Sequence, residues 1–133
     1  MLAFIPSASS VLAARVGGSC SYADFPGKAA IISVTPIPQP EARLARLPYQ
    51  PHRVVFIFTA SVPVPHGLYK PGHAHELTLS GGAAPGPEFL KKYGIRPGAS
   101  FPAELHLITS GTCSPVVFTF RGIDVFDHFE MKR

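Results

Sequence analysis

Along most of the chain, apolar and polar residues alternate in short runs separated by proline and glycine. This is the period-two signature of strands rather than the wider period of an amphipathic helix. The run KAAIISVT over 28–35 is rich in β-branched residues and follows Pro26-Gly27, which predicts a turn and then a first strand. RVVFIFTA over 53–60 is apolar on both faces and predicts a strand that is central or covered on both sides. HELTLS over 75–80 places Leu77 and Leu79 on one face and Glu76 and Thr78 on the other. SFPAELHLIT over 100–109 aims Phe101, Ala103, Leu105 and Leu107 at a core, with Glu104 and His106 outward. PVVFTFR over 115–121 predicts a fifth strand.

Helical signals are few. PEFLKKY over 87–93 carries proline at the first helical position, Glu88 in the first turn, and Lys91 and Lys92 in the last. Gly94 stands where a left-handed cap belongs, and Ile95 is placed to fold back on the helix. Arg96-Pro97-Gly98 then predicts a turn. PEARLARL over 40–47 predicts one or two helical turns inside a proline-rich stretch, stopped by Pro48. The tail over 123–133 fits either a short helix or a strand extension.

The order is three strands, one short helix and two strands. It predicts an all-β fold, mainly strand with one short helix. That order resembles the OB-fold, a five-stranded partly open barrel with its helix between strands three and four. The resemblance covers 28–121 and implies a ligand face on strands two and three. The alternative, a β-sandwich, calls for about seven strands. The segments GSCSYADFPGKA, FLKKYGI and GTCSPVVFTF also resemble small bacterial proteins of this shape.

Composition agrees with one folded domain. The chain has 133 residues, 46% hydrophobic and 15% charged, enough apolar surface to offset the entropy of ordering. We expect a loosely held arm over 1–19 and a single domain over 20–133. The opening segment is apolar but lacks a basic region and is interrupted by Pro6, a poor match to a signal peptide. No apolar run approaches the roughly 18 residues of a transmembrane helix. The net charge of +4 permits contact with nucleic acid or another anionic surface without demanding it.

Two cysteines, Cys20 and Cys113, flank the first strand and the turn between strands four and five. In an OB-like barrel strands one and four pair antiparallel, which brings these two residues together as a disulfide candidate. A bonded pair implies an oxidising compartment, such as the periplasm or the exterior; two free thiols fit the cytoplasm. His73 and His75 stand two apart, and on a strand both side chains reach the same side. They are candidate metal ligands, with His66, His106 and Asp127 as possible companions.

No Walker loop, G-x-S-x-G elbow or H-E-x-x-H is present, so no motif calls for catalysis or a cofactor. The glycine-rich 81–86 lacks the Lys-Ser/Thr pair of a phosphate loop and reads as a lead-in to the helix. Asp124, Asp127 and Glu130 read as a solvated acidic face. Arg43, Arg46, Tyr49 and Arg53, with His52, interleave cations with an aromatic and form the candidate ligand site. Three functions follow as expectations: a non-catalytic binding or structural module with a protein partner, a single-stranded nucleic-acid binder, or a histidine-based metal binder.

Overall fold

The computed structural model describes residues 19–39, 47–65 and 67–132. Arg43, Arg46, His66, residues 1–18 of the arm expected over 1–19 and most of the turns expected over 40–47 lie outside them. The described chain is mainly strand: β1 (Ser21–Pro36), β2 (His52–Ala60), β3 (Ala74–Leu77), β4 (Ser100–Ser110) and β5 (Val116–Phe120), with one helix, α1 (Pro87–Tyr93), between β3 and β4. All five strands belong to one antiparallel sheet in the order β3-β2-β1-β4-β5. A sandwich of two sheets is therefore not what the described residues form.

β1 is twice the length of the expected first strand, because Pro26-Gly27 is not a turn but lies within it. The N-terminal half of β1 pairs with β4 and its C-terminal half with β2, and the two partners overlap from Gly27 to Ala30. Proline is tolerated at position 26 because its polar edge faces the β2 side just past the end of β2: its carbonyl accepts from Ser61 N–H at 2.8 Å. Pro102 repeats the arrangement in β4, accepting from Arg121 N–H at 2.9 Å just past the end of β5. Neither missing N–H removes a ladder hydrogen bond. Gly27 allows a close crossing, since a Cβ there would stand 2.2 Å from the Thr59 carbonyl oxygen.

The sheet is curled. β2 and β5 are three strands apart, which in a flat sheet is about 14 Å. Yet the rings of Phe56 (β2) and Phe118 (β5) have centroids 5.1 Å apart, edge to face. A bulge leaves Ile32 without a β2 partner on β1, an irregularity of the kind that bends a strand. The concave side holds the core, with Ala29, Ile31, Val54, Phe56, Phe58, Leu77, Ala103, Leu105 and Leu107 all buried. This is the alternation read in the fourth strand. β2 is interior to the sheet, between β3 and β1, which is the first of the two expected placements; Val54, Phe56 and Phe58 are buried, while Val55 and Ile57 on its outer side are half-exposed. It is covered on one face only.

α1 spans the predicted residues. Gly94 takes the left-handed conformation at φ 68° and caps it, and Ile95 N–H returns to the Leu90 carbonyl at 2.9 Å. Phe89 and Leu90 are buried against the core. No side chain at Gly86 caps the N-terminus. The tail supplies that partner: Glu130, buried, accepts from Phe89 N–H at 2.9 Å. Glu130 is buried and belongs to a short 3-10 helix over Phe129–Lys132, so it is not part of a solvated face; of the ambiguous tail only this last stretch is helical, and 123–128 forms neither the expected helix nor a strand extension.

Candidate functional site

The two ends of the sheet, β3 and β5, are its only unpaired edges among the described strands. Curling brings their side chains together without joining their backbones. The rings of His75 and Phe118 lie 4.6 Å apart across this seam. Phe118 also meets Phe58 at 5.5 Å, and Phe58 meets Tyr69 edge-on at 6.2 Å. A cavity of about 390 Å³ opens here, lined among others by Tyr69, Lys70, His73, His75, Val116 and Phe118. That volume lies within the range of small-molecule sites.

Local sequence explains how each group arrives. Tyr69 is held by its hydroxyl, which donates to the Phe58 carbonyl at 3.3 Å. Lys70-Pro71-Gly72-His73 forms a tight turn in which His73 N–H donates to the Lys70 carbonyl at 3.2 Å. Gly72 adopts φ 78°, which a side chain would resist, and Pro71 sets the preceding residue of the turn. The turn delivers His73 to the start of β3, so that its ring meets that of His75 at 5.2 Å and 67°. His73 is exposed and His75 half-buried. Burial, and then the neighbouring His73, lower the pKa of His75, which favours its neutral form. The rim carries one charge of each sign, Lys70 and Glu76.

The two candidate histidines are thus side by side; of their expected companions His66 lies outside the described residues, and His106 and Asp127 are elsewhere. His106 lies on the outer face of β4, where Nδ1 is 2.7 Å from Asp24 Oδ1 on β1 and Nε2 is 2.8 Å from Thr119 Oγ1 on β5. This Asp-His-Thr relay ties three strands together. It sits on a sheet surface whose Glu104–Thr119 and His106–Val117 positions are paired in the β4–β5 ladder, and we read it as a cross-strand brace. Asp127 accepts from Lys92 Nζ at 2.6 Å and from Tyr93 Oη at 2.5 Å. Among the described residues no three His, Cys, Asp or Glu side chains gather as a metal cluster.

The described members of the cationic patch also have other engagements. Tyr49 donates to the Ala84 carbonyl at 2.8 Å, and its ring stands beside Gly86 at the start of α1. Burial, and then the carboxylate of Glu130, raise its pKa. Arg53 is on the outer side of β2, with Nε 3.8 Å from Glu76 Oε1. The Cys20 and Cys113 sulfurs lie at bonding distance, 2.01 Å, with Cα atoms 6.2 Å apart. The pair extends the β1–β4 ladder beyond Ser21–Ser110, as the antiparallel pairing of strands one and four required.

Tyr69, Lys70, Val116 and Phe118 were not singled out by the sequence. Two of them come from a loop and two from a strand that pairs with neither β2 nor β3. Only the proximity of Tyr69-Lys70 to His73 and His75 in the chain offered a signal. No helix among the described residues is long and apolar enough to cross a membrane. No family model, curated protein or solved structure matches the chain.

Proposed function

We propose that the protein is a non-catalytic binding module of OB-like build that takes a small planar ligand in the β3–β5 seam. The observation carrying this reading is the 390 Å³ cavity at the one unsealed line of the sheet, walled by four rings. Tyr69, His73, His75 and Phe118 offer stacking faces and edges, which suit an aromatic ligand. Lys70 at the rim suits a carboxylate on it. The OB-like reading is supported by the strand order and by the helix between β3 and β4. The Cys20–Cys113 pair supports an exported protein folded in an oxidising compartment.

Titration of isotope-labelled protein with small aromatic carboxylic acids, followed by amide NMR shifts, tests the site. Saturable shifts confined to 68–76 and 116–118 are expected. Shifts absent or scattered over the surface would remove the reading. Single-stranded nucleic acid is the second reading, favoured by the same strand order. It predicts salt-dependent retention of an oligonucleotide at low ionic strength, and no retention would end it.

A further inference from the structure

We propose that His73 and His75 form a two-imidazole site for a divalent ion of the zinc type, open toward the seam cavity. The cavity is the one proposed above for the planar ligand, and the inference deepens that reading. An imidazole nitrogen binds zinc at about 2.0–2.1 Å, which places the ring centre roughly 3.2 Å from the ion. Two such rings on neighbouring corners of a tetrahedron stand roughly 5.2 Å apart; on right-angled corners the spacing falls to roughly 4.5 Å. The observed spacing is 5.2 Å, with the rings inclined at 67°. The pair therefore has the tetrahedral spacing before any ion arrives.

Ring hydrogen bonding points the same way. Among the described residues, the histidine rings with hydrogen-bond partners are those of His52, His106 and His128. His73 and His75 meet each other and line the cavity instead. The backbone fixes both: the Pro71-Gly72 turn holds His73, and His75 pairs with Phe56 in the β2–β3 ladder while its ring packs on Phe118. The fold thus orders the His75 ring and the His73 backbone, and the His73 ring rests on that of His75. Two protein ligands leave two corners of the tetrahedron for water or for a carboxylate entering the cavity, the open arrangement of an exchangeable site rather than a structural one.

The test uses tag-free full-length protein and zinc ions alone, measured by calorimetry. One equivalent is expected to bind, with affinity reduced on the order of tenfold or more in His73→Ala and in His75→Phe, the latter keeping the aromatic packing. His106→Ala is expected to bind as the parent does. Imidazole NMR of the parent protein gives a readout independent of the variants: only the His73 and His75 resonances should move as zinc is added. No saturable binding to the parent, affinity in the two seam variants equal to the parent's, or movement of other histidines first would each overturn the proposal. Aromatic acids titrated into metal-free protein separate the two readings. If they bind and zinc does not, the cavity stands and the metal site falls.

Discussion

The sheet is closed at one region and open at another, and the contrast separates what holds this protein together from what it offers to a ligand. Around the overlap of β1 with its neighbours, Gly27 to Ala30 pair on both sides, and Ala103 to Leu107 on β4 do the same. Leu105 and Leu107 there are fully buried. Cys20 and Cys113 fasten the far end of the same pair of strands. At the seam, β3 and β5 are only four and five residues long and share no backbone hydrogen bond. Contact there is made by rings, and where the rings do not fill the space a cavity remains. Backbone pairing gives rigidity, while side-chain contact across an unpaired edge gives a surface that a ligand can complete.

The largest effect should come from the closed region. The Cys20–Cys113 link spans 93 positions, so removing it with Cys20→Ser and Cys113→Ser should cost about 4 kcal/mol in urea unfolding, with ligand binding at the seam kept in the fraction that is folded. Equal stability of reduced and oxidised protein would show that β1 and β4 need no fastening.

A change at the seam should invert the pattern. Phe118 is only half-buried, so Phe118→Ala should cost about 2 kcal/mol, less than a fully buried phenylalanine. It also removes the ring that bridges Phe56, Phe58 and His75, and with it the binding of aromatic acids. Retained binding in a folded Phe118→Ala protein would place the ligand elsewhere.

The smallest effect is expected beyond both regions, at Asp127. Its bonds from Lys92, and then from Tyr93, hold its carboxyl below the ordinary aspartate value. A depressed folded pKa contributes stability that is present above the unfolded value of about 3.9 and is lost as pH falls through the folded value. Asp127→Asn should therefore flatten part of the acid limb below about pH 4 and leave neutral-pH ligand binding unchanged. An unaltered acid limb would show that these exposed contacts carry no linkage.

What the sequence made legible was local or followed from pairing. The limits of α1 were readable because Pro87, Glu88, Lys91, Lys92 and Gly94 each act within one turn of the chain. The cysteine proximity was readable because antiparallel pairing of two strands fixes which ends meet. Pro26-Gly27 misled, since the same dipeptide that favours a turn fits a strand whose polar edge runs past its neighbour's end. That edge is set by β2, not by residues 26 and 27. The acidic tail misled for a similar reason: the partner of Glu130 is the start of α1, 41 positions away. The seam cavity was half legible, through His73 and His75. Phe118 joins them only because the sheet curls, and curvature is a property of the whole ladder.

Native-state hydrogen exchange tests the contrast between closed sheet and open seam most directly. Amides of Gly27–Ala30 and Ala103–Leu107 should exchange only through global unfolding, while those of β3 and β5 that face the seam should exchange much faster, without denaturant dependence. A saturating aromatic acid should slow the seam amides selectively. Seam amides as protected as those of β1 and β4 in the free protein would mean that the edges are sealed, and the site proposed between them would not exist.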